Sequence, residues 1–236
     1  MKRLVILLSM SACGGSSSGT NNGVDASDLP PTADAPTDPA LRYEPWSPGT
    51  VWSYNLTDPT GALAPQTGQL TTLAGPVDIG GVHAGKMALI GHIDQMVGSK
   101  DVYEAIVGDV DVRYKTEFYD DTHTLTSTEV YQPYRLKLDE SPAHLVAGAS
   151  WSETFTQTTT PAGGGNPTTK TKTDQWHVVS ASESVTVADG TFTALHIQRT
   201  NSGGAVQDYW YARGIGKIQE TGGGQHEELA SFTPGP

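Results

Sequence analysis

The sequence predicts an all-β, antiparallel fold of about ten strands, arranged as a sandwich or a barrel. Three observations predict it. Turn formers are plentiful, with 27 Gly and 15 Pro in 236 residues, while charged residues make up only 17%. Two turn signals, Asp189-Gly190 and Asn201-Ser-Gly-Gly204, cut the stretch from Glu183 to Glu220 into short apolar runs. Asp-Gly favours a hairpin because its turn needs positive φ at both central residues, so this stretch reads as three consecutive antiparallel strands. Finally, Val110, Val112, Tyr114, Thr116 and Phe118 alternate with Asp109, Asp111, Arg113, Lys115 and Glu117. That period of two puts the first set on a core face and the second in water.

The first thirteen residues have a secretory layout. Lys2 and Arg3 give a positive start, Leu4 to Leu8 an apolar core, and Ser11 and Ala12 a small-residue cut site. Residues 1–12 therefore read as a signal peptide, too short to span a bilayer as a helix. Met10-Ser-Ala-Cys13 resembles the lipobox of bacterial lipoproteins, departing from it at Met10, where that family usually has Leu, and in an apolar region at the short end. The resemblance implies that Cys13, the only cysteine, becomes the first mature residue and carries acyl chains such as palmitate. Each buried CH₂ of such a chain contributes about 0.8 kcal/mol, and several chains together hold effectively permanently. The partner so implied is a membrane. Gly14 after the cysteine, in place of Asp, implies the outer membrane by the same resemblance.

Residues 13–45 read as the lipidated N-terminus and a tether. The stretch is Gly/Ser-rich at first and then carries prolines at 30, 31, 36, 39 and 45, with few bulky apolar side chains. It cannot bury enough surface to offset the entropy of ordering, so a disordered spacer of roughly 30 Å is expected.

The β-domain is expected over 46–236. Thr50–Leu56 is the first strand, ended by Asp58-Pro-Thr-Gly61. Gln69–Ala74, Lys86–Ile90 and Val102–Val107 follow, punctuated by glycines and Pro76. After the alternating strand at 109–118 come Thr122–Tyr131 and a brief Arg135-Leu-Lys-Leu138. Trp151–Thr160 and Thr168–Val187 form a hairpin across Gly163–Gly165, and His226–Phe232 is the last strand. No helical pattern of useful length occurs. Gly49-x-x-Trp52-Ser echoes Gly148-x-x-Trp151-Ser, as two similar halves or as a chance match.

The Gly49/Trp52, Gly148/Trp151, Val185–Leu195 and Tyr209-Trp-Tyr-x-x-Gly214-Ile-Gly216 pattern resembles uncharacterised bacterial envelope lipoproteins. These share the curved, incompletely closed β-barrel of Lol-type lipoprotein carriers. The resemblance implies a single, strongly curved open sheet whose concave face holds an apolar ligand or an envelope partner. The carriers lid their cavity with helices, which this chain lacks. Tyr209, Trp210 and Tyr211 are the candidate ligand-mouth residues, with Arg213 to hold an anionic head. Against that, ordinary strand alternation would put Trp210 in the core and the two tyrosines on the opposite face.

A net charge of −12 argues against nucleic acid, which needs clustered Lys and Arg. No motif calls for a metal or cofactor. His226-Glu-Glu lacks a zincin's second His, and Asp109-Val-Asp111 lacks the loop of a calcium site. Asp120-Asp-Thr-His123 reads as a solvated turn, and His83 and His92 have no nearby carboxylate pattern. No Gly-x-Ser-x-Gly elbow or phosphate loop occurs. The expectation is a non-catalytic binding lipoprotein. A structural surface protein with a filled core, and a hydrolase with a dispersed site, are the alternatives. A cavity separates the first from the second, and converging His and carboxylate side chains would mark the third.

Overall fold

The computed structural model describes residues 42–73 and 75–236. Cys13, the signal peptide and the tether up to residue 41 lie outside the described residues.

Thirteen antiparallel strands follow one another along the chain. They are β1 (Val51–Thr57), β2 (Gln66–Thr72), β3 (Val77–Gly80), β4 (His83–Asp94), β5 (Ser99–Val107), β6 (Val110–Tyr119) and β7 (Leu125–Asp139). After them come β8 (Ser150–Pro161), β9 (Thr168–Val187), β10 (Gly190–Thr200), β11 (Val206–Ala212), β12 (Gly216–Gly222) and β13 (His226–Thr233). Among the described residues the only helical element is the 3-10 turn Pro142–His144. The all-β, antiparallel expectation holds.

Closure and strand number differ from the expectation. The hydrogen-bonded order is β2-β1-β13-β12-β11-β10-β9-β8-β7-β6-β5-β4-β3, and β2 also pairs with β4. That pairing, Leu70 to Ile93 through Thr72 to Gly91, closes twelve strands into a barrel and leaves β3 as an extra strand beside β4. The sheet is thus a closed barrel and not an open one of about ten strands. Closure removes the two edges that an open sheet would expose. Two expected strands, 122–131 and 135–138, are one long strand, β7. β3 has no counterpart among the expected strands, because glycines crowd its C-terminal end. Gly49 and Gly148 both hold positive φ just before β1 and β8, and these strands stand six apart around the ring of twelve. The repeated motif therefore marks opposite walls.

Bulges set which residues face inward. Tyr103 pairs with Lys115 and Glu104 with Arg113, so Tyr114 is an extra residue in β6. An inserted residue reverses the alternation on one side of it. Thr116 stays buried as the period predicts, but Asp111 and Arg113, expected in water, are buried as well.

The packed region begins earlier than Trp46. Arg42, Tyr43, Glu44 and Pro45, read as the end of the tether, are buried. This segment is a strap across one end of the barrel. Gly214, in the β11–β12 turn, donates its N–H to the Arg42 carbonyl (2.7 Å). Glu140, just after β7, accepts from the Tyr43 N–H (3.0 Å) and the Glu44 N–H (3.4 Å) and lies 3.3 Å from the Arg42 guanidinium. At the far side, the Trp46 ring lies against Gly91 of β4, where a Cβ would sit 2.6 Å from it.

Two apolar clusters fill the wall. One gathers Tyr43, Leu136, Leu138, Trp176, Val178, Leu195, Ile197, Tyr209 and Tyr211. The other joins Trp52, Tyr54 and Leu56 to Ala212, Ile218 and Leu229 and to the tip of the β9–β10 hairpin through Val185 and Val187. Asp189 of that tip donates its N–H to the Leu229 carbonyl (3.2 Å).

The outward face of the β8–β9 hairpin is polar. Thr154 bonds Thr173 (2.9 Å), Thr158 bonds Thr169 (3.0 Å) and Ser150 bonds His177 (2.9 Å). A lipid-facing barrel presents an apolar band there. Among the described residues no helix is long and apolar enough to cross a membrane.

Candidate functional site

A cavity of about 380 Å³ lies inside the barrel. Glu44 and Trp46 of the strap form its floor. Leu63 of the β1–β2 loop, Gln95 to Val97 of the β4–β5 loop, and Gly224 and Gln225 of the β12–β13 turn surround its other end.

The wall carries more charge than any binding face read from the sequence. Lys100, Arg113, Arg135, Lys137, Arg199 and Lys217 line it, six of the 14 Lys and Arg in the whole chain. Glu44, Asp94, Glu104, Glu220 and Glu227 line it too. Some of these charges neutralise each other. The Arg113 guanidinium meets Glu104 at 2.5 Å, and the Lys217 ammonium donates to Glu220 (2.5 Å) and Glu227 (2.6 Å). Arg199 lies 3.6 Å from Asp174 and donates to Gln207. Lys100, Arg135 and Lys137 have no carboxylate within 4.0 Å among the described residues.

Burial and neighbours move the protonation equilibria here. Burial is the main reason the Lys100 ammonium falls from 10.5 to about 7, with Arg113 adding repulsion. Lys137 is lowered for the same two reasons. Burial raises the Glu44 carboxyl to about 7, against the pull of Lys137. Glu227 goes the other way. Burial opposes its charge, yet the Lys217 ammonium and its hydrogen bond hold the carboxyl at about 2. One wall therefore carries both stabilised and destabilised charges.

The apolar part of the wall is concentrated in neighbouring strands. Trp52, Tyr54 and Leu56 of β1, Leu70 of β2 and Ile93 of β4 line it, and no cation comes from these three strands. Trp52 is fixed by donating its indole N–H to the Ile215 carbonyl, and Tyr54 by donating its hydroxyl to the Lys217 carbonyl (2.8 Å).

The sequence-predicted residues are divided between faces. Tyr209 reaches the cavity wall, and Tyr211 is buried in the apolar cluster beside it, 6.2 Å from Tyr209 between ring centroids. Trp210 points the opposite way and stacks on His196 (4.2 Å), whose ring bridges Glu183 (2.9 Å) and Asp208 (3.0 Å). The alternation is thus the reverse of the one that put Trp210 in the core. Arg213 lies in the β11–β12 turn with its guanidinium 4.2 Å from the centre of the Tyr43 ring, on the strap. It is remote from the ring of loops at the open end. The four residues do not form one mouth.

The inward cations of the lining are hard to find in the sequence, because a lone charge on a strand ordinarily faces solvent. One signal was available. Lys100, Val102 and Glu104 fall two apart on β5, so the face that carries the buried Val102 also carries two charges. His92, read as lacking a carboxylate, has one across the β4–β5 ladder, with Nδ1 2.7 Å from Asp101. Asp120 Oδ1 accepts from the Thr122 and Thr124 N–H groups (2.9 Å each), as a turn requires. Among the described residues no histidine, serine, threonine or cysteine lines the cavity.

No family model and no curated relative matches the chain. Among solved structures it is similar to a Bacteroides fragilis protein whose name describes it as exported and of YmcC-like fold. The TM-score is 0.38 at 9% identity, over 80% of this chain and 97% of that one. So loose a likeness supports neither a common fold nor a function.

Proposed function

We propose that this chain is a membrane-anchored envelope lipoprotein whose barrel is a non-catalytic binding module for a small molecule. The carrying observation is the cavity of about 380 Å³, walled by twelve strands and floored by the strap. That volume falls at the lower end of the range typical of small-molecule sites. A structural protein with a filled interior would lack such a space. A hydrolase built on a histidine base has no support in the lining, which contains neither histidine nor a hydroxyl or thiol nucleophile from Ser, Thr or Cys. The purely apolar ligand implied by the carrier resemblance is narrowed to one with polar groups as well, because hydrocarbon alone would desolvate the wall's charges without pairing them.

The anchor reading rests on Met10-Ser-Ala-Cys13. A Cys13→Ala chain is expected to take up no labelled palmitate and to leave the membrane fraction, and retention there would refute lipidation. Native mass spectrometry of the full chain from its own envelope tests the binding reading. A bound mass in the small-molecule range is expected, and a consistently empty barrel would refute it.

A further inference from the structure

We propose that the occupant of the cavity is an amphipathic anion, with a carboxylate or phosphate head on the β5–β7 wall and an apolar body against β1, β2 and β4. The inference rests on the binding reading above and deepens it. The chain as a whole is acidic, at −12, yet it concentrates cations on this one inner surface. Lys217 and Arg113 already hold carboxylates at hydrogen-bond distance, so they are internally neutralised. Lys100 of β5 and Arg135 and Lys137 of β7 are not, although each lines the cavity. An ammonium or guanidinium taken partly out of water is costly unless an anion completes it. Of the lining carboxylates, Glu104, Glu220 and Glu227 are bound to Arg113 and Lys217, and Glu44 and Asp94 come within 4.0 Å of none of Lys100, Arg135 and Lys137 among the described residues.

The geometry also separates the head from the body. In ring order β5, β6 and β7 are consecutive, and β4, β2 and β1 follow on directly. The first three bring Lys100, Arg135 and Lys137, the lining cations with no carboxylate within 4.0 Å among the described residues, Arg135 lying over the Tyr131 ring. The second three bring Trp52, Tyr54, Leu56, Leu70 and Ile93. A ligand lying across the cavity meets charge on one side and aromatic or aliphatic surface on the other. Planar guanidinium and mobile ammonium together suit an oxyanion with several acceptor atoms.

The test uses the full chain and three probes: octyl phosphate, inorganic phosphate and 1-octanol. Binding is read from tryptophan fluorescence, since Trp46, Trp52 and Trp176 line the cavity. Octyl phosphate is expected to bind saturably and at least tenfold tighter than either other probe. The double variant Lys100→Gln/Lys137→Gln is expected to lose tenfold or more for octyl phosphate and nothing for octanol. Lys86→Gln, on exposed β4 backbone away from the lining, is expected to stay within twofold. If the double variant fails to fold, Arg135→Gln gives the same readout. Octanol binding as tightly as octyl phosphate, with no loss in the variants, would overturn the anion and leave the cavity reading standing. Inorganic phosphate binding as tightly as octyl phosphate would overturn the amphipathic part and make a free anion the occupant. No binding of any probe, together with an empty barrel from the envelope, would overturn both readings.

Discussion

Two sectors of one wall treat a buried cation in opposite ways. On β12 and β13, Lys217 is clasped by Glu220 and Glu227 at 2.5 and 2.6 Å, and its ammonium is held well above its usual range. On β5 and β7, Lys100 and Lys137 face the same cavity with no carboxylate within 4.0 Å among the described residues, and burial lowers both. The first arrangement is what a fold needs for its own stability. The second lowers stability until something else arrives. On the binding reading proposed above, the difference separates structural charge from charge kept for a ligand.

The largest effect should come from breaking the clasp. Lys217→Met leaves two carboxylates facing each other out of water, and a loss of about 3–5 kcal/mol in urea denaturation is expected. Lys100→Gln/Lys137→Gln should leave the unliganded stability unchanged or raise it. Equal losses in the two would erase the distinction between the sectors.

The next effect is one of pH. Glu44 titrates at about 7 in the fold against 4.5 unfolded. Its neutral form is the one the fold favours, so its contribution is fully present below 4.5 and is lost as pH rises through 7. Glu227, held at about 2, has the reverse sign. Its contribution is present above 4.5 and is lost as pH falls through 2. Glu44→Gln should therefore flatten the stability profile between 4.5 and 7 by up to about 3 kcal/mol. Glu227→Gln should flatten only the acid limb. Burial raises Glu153 to about 7 as well, and it keeps its own share of the slope in the Glu44 variant.

Smaller effects come from the floor and from outside. Gly91→Ala would press a methyl onto the Trp46 ring and should cost about 1–3 kcal/mol, read as a lower thermal midpoint. Lys115, paired with Glu117 at 3.1 Å and set 3.6 Å over the Tyr103 ring, makes its ion pair on the outer face. Lys115→Gln should cost no more than about 1 kcal/mol, because water screens and replaces that pair. A loss as large as that of Lys217→Met would show that wall position does not govern the worth of these pairs.

The sequence discloses local features of this fold well and non-local ones poorly. Turn residues at Asp189-Gly190 and Asn201–Gly204 place the β9–β10 and β10–β11 hairpins correctly, although Ala188-Asp189 form the first turn and only Gly190, already in β10, has the positive φ expected of the Asp-Gly pair. Closure depends on β2 meeting β4 across the skipped β3, and no local pattern encodes that pairing. The phase of β6 depends on one extra residue, Tyr114, and its alternation looks regular in the sequence because a bulge leaves no mark there. The site follows the same division. Tyr209 could be nominated from an aromatic run. Lys100, Arg135 and Lys137 could not, because a cation on a strand is ordinarily wet, and only a closed ring brings the three together.

The strap has a consequence for where this molecule can be cut. Residues 42–46 bear the Glu140 and Gly91 contacts that seal the base. A chain begun at Trp46, the boundary its composition proposes, would keep the Gly91 contact but lose the Glu140 contacts and Glu44 from the floor, and so loosen the base of the cup.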